Sequence, residues 1–279
     1  MRRREVLKNI EDAIIAIYGA REARQIAQIV VEEMSNISHT ELLLNLDTQC
    51  DIDNIDQVVD ELSKGRPMQY VIGQAEFCDM FFNVREGVLI PRFETEELVR
   101  YIKEDSAAAK DILDVGTGSG CIAISLKKYL SDANVTGVDI SEQALEIARE
   151  NSNKLNLEVN FKLGDALNGL SDLFDNQFDV VVSNPPYIPS SDFASMRINV
   201  TKYEPSIALF VEDGDPLIFY ISIARSAKKL LRSGGKLYFE IYESFAEEMV
   251  EMLRTEGFSN IVLKDDINDK PRMTCCQKI

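Results

Sequence analysis

The feature that most constrains this chain is the run Asp111-Ile112-Leu113-Asp114-Val115-Gly116-Thr117-Gly118-Ser119-Gly120, in which a short apolar segment opens directly into three alternate glycines. Residues 121–130 follow with helical apolar spacing, so the chain must pass from strand to helix within one tight turn. Glycine permits the positive φ values and the close backbone approach that such a turn requires. A strand, glycine turn and helix in this order open an α/β fold, and a nucleotide-like ligand can lie against the bare backbone.

The rest of the chain agrees with that fold class. After Lys110, short β-rich runs alternate with helical stretches, the pattern of a mostly parallel sheet covered on both faces. The spacing predicts seven strands, at 112–115, 135–139, 158–163, 178–183, 236–241, 261–264 and 273–277. Upstream the period changes. Val6, Leu7, Ile10, Ile14 and Ile17, then Ala23, Ile26, Ala27, Val30, Val31 and Met34, recur at helical spacing, and 42–46 and 52–62 add two short amphipathic stretches. This predicts a small all-helical unit over 1–64, a stabilising cap or a substrate-recognition module. Between the two, glycines and Pro67 interrupt the helical pattern, while Phe77, Phe81, Phe82 and Val84 suit short strands. Residues 65–90 are therefore expected to form a hairpin-like connector, with the α/β domain over 91–279. A chain of 279 residues, 45% hydrophobic, can bury both cores.

Composition excludes several classes of chemistry. His39 is the sole histidine, in Ser38-His39-Thr40-Glu41, which reads as a helix start, so a His-rich metal site is ruled out and any Ser-His-Asp triad would have to use that residue. Cys50, Cys78, Cys121, Cys275 and Cys276 have neither zinc-site spacing nor a disulfide framework, and a reducing cytoplasm is the simplest reading. Met1-Arg2-Arg3-Arg4 is basic, but an acidic, helix-patterned segment stands where a signal peptide needs its apolar core, and no apolar run is long enough to span a bilayer. The formal charge of -17, from 47 acidic and 30 basic residues, would repel a phosphate backbone, so no stable nucleic-acid binding and no membrane association are expected.

Four short signals carry the chemistry. The turn has Gly-x-Gly-x-Gly spacing across Gly116, Thr117, Gly118, Ser119 and Gly120, not the Gly-x-Gly-x-x-Gly of dinucleotide binders. Asp114, one residue removed from Gly116, offers a carboxylate suited to an amino-acid ammonium group, which favours S-adenosylmethionine over NAD. Nineteen residues after Gly120 the next strand ends at Asp139, placed to accept hydrogen bonds from both hydroxyls of an adenosine ribose. The competing reading makes Asp139 a cap for the helix beginning near Ser141, although Ser141 could serve that purpose itself. Asp165, before Ala166 at the end of the third strand, could face the adenine amino group, but Gly-Asp is also a common turn.

The discriminating motif is Asn184-Pro185-Pro186-Tyr187, directly after the strand 178–183. Two prolines fix the backbone and carry no N–H. The Asn184 side-chain oxygen and the Pro185 carbonyl could together hold both hydrogens of an NH₂ group. An amide nitrogen is a poor nucleophile because its lone pair is delocalised; directing both hydrogens at acceptors aims the developing lone pair at the methyl donor. The Tyr187 ring could pack on the planar acceptor.

At this point the sequence resembles the peptide chain release factor N5-glutamine methyltransferases, the HemK or PrmC type. The resemblance begins with the helical unit and with Gly65-Arg66-Pro67-Met68-Gln69-Tyr70-Val71-Ile72-Gly73. It continues through Val88-Leu89-Ile90-Pro91-Arg92-Phe93-Glu94-Thr95-Glu96, the glycine turn, Ser183-Asn184-Pro185-Pro186-Tyr187-Ile188 and Tyr203-Glu204-Pro205. It implies a seven-stranded Rossmann-like S-adenosylmethionine-dependent methyltransferase sheet with a small helical N-terminal domain that helps to dock a release factor. The product cofactor is S-adenosylhomocysteine and the acceptor the glutamine of a Gly-Gly-Gln loop. Gly116 to Gly120 and Asp139 would form the cofactor site, Asn184 to Tyr187 the glutamine site, and Pro91 to Thr95 would lie near the methionine end of the cofactor. Three positions depart from the family pattern: Ala166 stands where an aromatic residue is frequent, Phe93 replaces a usual proline, and Tyr242 follows Glu240-Ile241 where the family has glycine.

The nearest rival is an N6-adenine methyltransferase acting on DNA or RNA, since adenine N6 is also an NH₂ on a conjugated plane. It needs a basic channel and usually a separate target-recognition domain, against which the charge and the helical N-terminal unit both argue. A non-catalytic cofactor-binding scaffold would tolerate loss of Asn184 or Tyr187, and both are present. An NAD-linked oxidoreductase is disfavoured by the glycine spacing.

Overall fold

The computed structural model describes residues 1–50 and 52–279, which divide into two compact units. The first is Met1–Gln74 together with Met196–Tyr203. Its long helix α1 (Arg3–Ser35) is broken at Gly19, where φ 76 and ψ 162 leave the helical region, so it is two arms. Val6, Ile10 and Ile14 bury the face of one arm, and Ala23, Ile26, Ala27, Val30 and Val31 that of the other, at the three- and four-residue spacing of a helix stripe. Helix α2 (His39–Leu44) opens as expected from Ser38, whose hydroxyl accepts the Glu41 N–H at 3.2 Å. Leu42 and, from α3 (Ile55–Ser63), Val58 and Leu62 complete the core. The stretch expected as connector begins with a further helix, α4 (Met68–Ile72), which packs in this unit; Pro67 sits at its N-cap and so starts a helix here.

The second unit is Ala75–Ser195 with Glu204–Ile279. The hairpin β1 (Gln74–Phe77) and β2 (Met80–Asn83) turns through Cys78 and Asp79, both at positive φ. Helix α5 (Phe93–Asp105) begins after Arg92, with Phe93 at its first position and 75% exposed. That position suits proline, whose missing N–H is an orphan there in any case, so Phe93 forfeits only pre-organisation.

The main sheet contains β3 (Asp111–Val115), β4 (Asn134–Asp139), β5 (Asn160–Leu163), β6 (Phe178–Ser183), β9 (Leu231–Glu240), β10 (Phe258–Asp265) and β11 (Pro271–Lys278) in the order β10-β11-β9-β6-β3-β4-β5. Only β11 runs against the others. The last three strands are longer than expected because the ladder continues past their apolar cores, and Leu231 joins it ahead of a register shift over Arg232–Gly235. A minor pair, β7 (Ile188–Pro189) and β8 (Phe210–Val211), flanks α8 (Ile198–Thr201), whose segment belongs to the helical unit. Helices α5 and α6 (Cys121–Tyr129) bury apolar faces in a cluster around Ile112, Ile124 and Val180, and α9 (Ile218–Leu230) and α10 (Ala246–Thr255) in another around Leu113, Val181 and Leu237, while α7 (Glu142–Leu155) packs on β4 and β5. Neighbouring residues of β3 and β6 thus face opposite clusters, as strands covered on both faces must. Among the described residues no helix is long and apolar enough to cross a membrane.

Candidate active site

The parallel strands β3, β4, β5 and β6 end on one edge of the sheet, and the loops leaving them surround a cleft of about 330 Å³. It is lined by Val115, Gly116 and Gly118 after β3, Asp139, Ile140 and Ser141 after β4, Asp165 and Ala166 after β5, and Asn184 and Pro186 after β6. Crevices outside the carboxyl ends of strands are the usual ligand sites of such sheets.

The glycine turn is shaped for close approach. Gly116, Gly118 and Gly120 all have positive φ; a Cβ on Gly118 would meet open space, whereas one on Gly120 would press on Ile124 and Ala148 at 3.0–3.2 Å. The first two glycines therefore present backbone to the cleft, and the third lets α6 pack on α7. Thr117, Ser119 and Gly120 do not line the cleft. Thr117 turns inward and donates to Asp114 at 2.6 Å, and Ser119 is buried with its carbonyl accepting from Asn151.

Asp114 lies beneath the turn, 0% exposed; among the described residues its Oδ1 makes no close hydrogen bond, and the backbone N–H of Ala123 is the group that faces the carboxylate. Burial pushes its carboxyl up to about 7 against the pull of the Thr117 hydroxyl. Like Thr117, Ser119 and Gly120, Asp114 does not line the cleft. Asp139 accepts Gly118 N–H at 2.8 Å on one oxygen and Ser141 N–H at 2.9 Å on the other, so it joins the two loops. Burial raises its carboxyl above the ordinary value. The cap of α7 is Ser141, whose hydroxyl accepts Ala144 N–H, so Asp139 keeps lone pairs for a ligand. Asp165 faces the cleft too, but its oxygens accept Leu167 N–H and the Asn168 amide, the local turn chemistry. Beside Ala166, the apolar walls come from Ile140, Leu167 and Phe219, none marked by a motif.

Asn184 follows directly from the sheet. The Ser183 hydroxyl donates to Val115 O at 2.6 Å, tying the motif's strand to the glycine-turn strand. Asn184 Nδ2 donates to Thr95 Oγ1 at 3.3 Å, and Thr95 donates to Glu240 Oε2 at 2.7 Å. The Tyr187 hydroxyl donates to the other Glu240 oxygen at 3.2 Å. Burial raises the Glu240 carboxyl, opposed by the Thr95 hydroxyl and the Arg272 charge. Pro185 is buried and Pro186 lines the cleft. Tyr187 does not line it: its ring stacks on Tyr242 at 5.8 Å and 17°, and the Tyr242 hydroxyl is held by Asp192. The departure at Tyr242 thus gives one face of the Tyr187 ring a neighbour that glycine could not supply.

Two acidic residues gained their importance only in three dimensions. Glu204, buried beside Pro205, accepts Ile90 N–H at 3.0 Å and Arg92 at 2.6 Å, fastening two segments that border the cleft. Glu240, at the end of β9, gathers Thr95 and Tyr187. Both stood in motifs legible in the sequence, but pairing across 53 to 145 positions leaves no local signal.

With this geometry in place, known proteins are informative. Residues 106–273 match the model of a methyltransferase domain, and residues 5–73 match that of the PrmC N-terminal domain. A release factor glutamine methyltransferase of Bacteroides thetaiotaomicron is 39% identical over 267 residues, 95% of this chain and 96% of that protein. The proteins of the same name from Flavobacterium psychrophilum and Streptococcus pneumoniae are 38% and 36% identical, covering 94% and 91% of this chain and 94% and 90% of their own. A methyltransferase structure from Pyrococcus furiosus aligns with a TM-score of 0.50 at 20% identity, over 71% of this chain and 88% of that one, a likeness of fold alone.

Proposed function

Because the chain belongs to the release factor glutamine methyltransferase family, we propose that it transfers a methyl group from S-adenosylmethionine to the side-chain amide nitrogen of the glutamine in a release factor's Gly-Gly-Gln loop. The observation that carries this reading to the reacting atoms is Asn184: its Nδ2 is committed to Thr95, while Oδ1 accepts from no group among the described residues and the residue lines the cleft.

Gly116 and Gly118 would hold the cofactor by backbone, Asp139 its ribose hydroxyls and Asp114 its ammonium group, with Ile140 and Ala166 against the adenine. When bound, S-adenosylmethionine supplies an electrophilic methyl on a sulfonium. The chain's own residues supply the acceptors. Asn184 Oδ1 and the Pro185 carbonyl receive the two hydrogens of the target NH₂, which holds the amide in one orientation and favours the charge that develops on nitrogen. Tyr187 stacks on Tyr242 outside the cleft, and Ile207 is an exposed apolar side chain of its lining. We further propose that residues 1–64, with the rest of the helical unit, dock the protein substrate, since an acidic chain suits a protein better than a phosphate backbone.

The test is incubation with labelled S-adenosylmethionine and purified release factor, followed by mass mapping. Label on the Gly-Gly-Gln glutamine is expected. Label on adenine of added DNA and none on the factor would make the adenine-methyltransferase reading correct instead.

A further inference from the structure

The parallel register of β6 and β9 sets Ser183 beside Phe239, so the next residues, Asn184 just past β6 and Glu240 at the end of β9, come side by side. Thr95, in the first turn of α5, is 3% exposed and joins them. Its single hydroxyl proton is spent on Glu240 Oε2, which leaves Thr95 Oγ1 able only to accept. The Asn184 atom opposite it must then be the donor, Nδ2, and Oδ1 is turned the other way. From this we infer that Glu240, acting through Thr95, is a positioning residue that fixes which end of the Asn184 amide meets the substrate, and that through Tyr187 the same carboxylate holds the other end of the motif. The inference rests on the proposed transfer to an amide NH₂.

The physical need is specific. An asparagine amide is nearly symmetric in shape, so packing alone distinguishes its oxygen from its nitrogen poorly. Turned the wrong way, Asn184 would present NH₂ to the substrate's NH₂, two donors facing each other with no acceptor. In its ionised form Glu240 can only accept, and relayed through one hydroxyl it removes that alternative. Glu240 is 2% exposed, and a group buried so deeply is held by its partners: Thr95 and Tyr187 hydroxyls on its two oxygens and the Arg272 charge from β11.

Thr95→Val keeps the shape and removes the relay; Thr95→Ser keeps the hydroxyl. Thr95→Val is expected to lower kcat about 10–100-fold, the scale of a misplaced reacting group, with KM for release factor and cofactor affinity changed less than about threefold. Thr95→Ser should recover most of the loss. In the Asn184→Ala background Thr95→Val should cost nothing further, because the group being oriented is gone. Wild-type kcat in Thr95→Val, an equal loss in Thr95→Ser, or an undiminished loss in the Asn184→Ala background each overturns the inference. If thermal unfolding shows that Thr95→Val does not fold, the same cycle run with Glu240→Gln decides by the same criteria. Wild-type enzyme assayed alongside separates the two claims. Transfer to release factor that is lost in Asn184→Ala but kept in Thr95→Val refutes only the relay, and no transfer by the wild type refutes the function and the relay together.

Discussion

The two units solve different problems with the same kinds of residue. In the helical unit Arg3 is the one buried polar or charged residue among the described residues, and its core of Val6, Ile10, Ile14, Val30, Leu42 and Leu62 is wholly apolar. Its charges pair on or near the surface, as Arg197 does with Glu22 and Arg66 with Glu61; exposed pairs of this kind contribute little. The sheet unit buries thirteen such residues, among them Asp114, Thr117, Ser119, Thr95, Ser183, Glu204 and Glu240, which tie together the segments that carry the cleft lining. A buried polar group without partners costs roughly 1–3 kcal/mol. Such groups collect where fixed acceptors are held in place, and the unit without them is left to packing alone.

Four experiments would break or sharpen that contrast. The largest effect is expected at Asn184: Asn184→Ala should lower turnover about 10²–10³-fold, the range for loss of one preorganised contact, with cofactor affinity intact by calorimetry. Near-normal turnover would remove the proposed mechanism. Next, Asp139→Ala should weaken cofactor binding by roughly 1.5–3 kcal/mol, the value of a hydrogen bond to a charged group. Because Ser141 caps α7, circular dichroism should show the helix content retained; unchanged affinity would mean that Asp139 serves only to join its loops.

A smaller effect concerns pH. The Asp114 carboxyl is raised by burial, so in the free protein its contribution to stability is full below the unfolded value and is lost as pH rises through about 7. A bound ammonium group prefers the ionised form, so affinity for S-adenosylmethionine should strengthen several-fold between about pH 6 and pH 7.5, and Asp114→Asn should flatten that dependence. A wild-type affinity indifferent to pH over this range refutes the pairing. The least effect on the site should come from the helical core. Ile10→Ala is expected to cost about 2–5 kcal/mol of stability in that unit while leaving cofactor affinity unchanged. Cofactor binding that falls in proportion would show that the helical core also supports the cleft.

Much of this protein was legible in the residues alone. The glycine turn, the alternation of strands and helices, and the capping serine before α2 are local features in which spacing and backbone chemistry act within a few residues, and the seven strands lie where their apolar runs are. The resemblance carried by Asn184-Pro185-Pro186-Tyr187 and Pro91-Arg92-Phe93-Glu94-Thr95 pointed to the family that the relatives share.

Tertiary structure decided what depends on partners distant in the chain. It turned Thr117 to Asp114 and away from the cleft, gave Asp139 two backbone donors, and engaged both Asp165 oxygens in a local turn. It set Tyr187 against Tyr242, and it made Glu240 the common acceptor of Thr95 and Tyr187. A sequence determines which groups exist and the local backbone that carries them. Which acceptor a hydroxyl or amide finds depends on the register of neighbouring strands and on the helix laid across them, and that is settled only when the core closes.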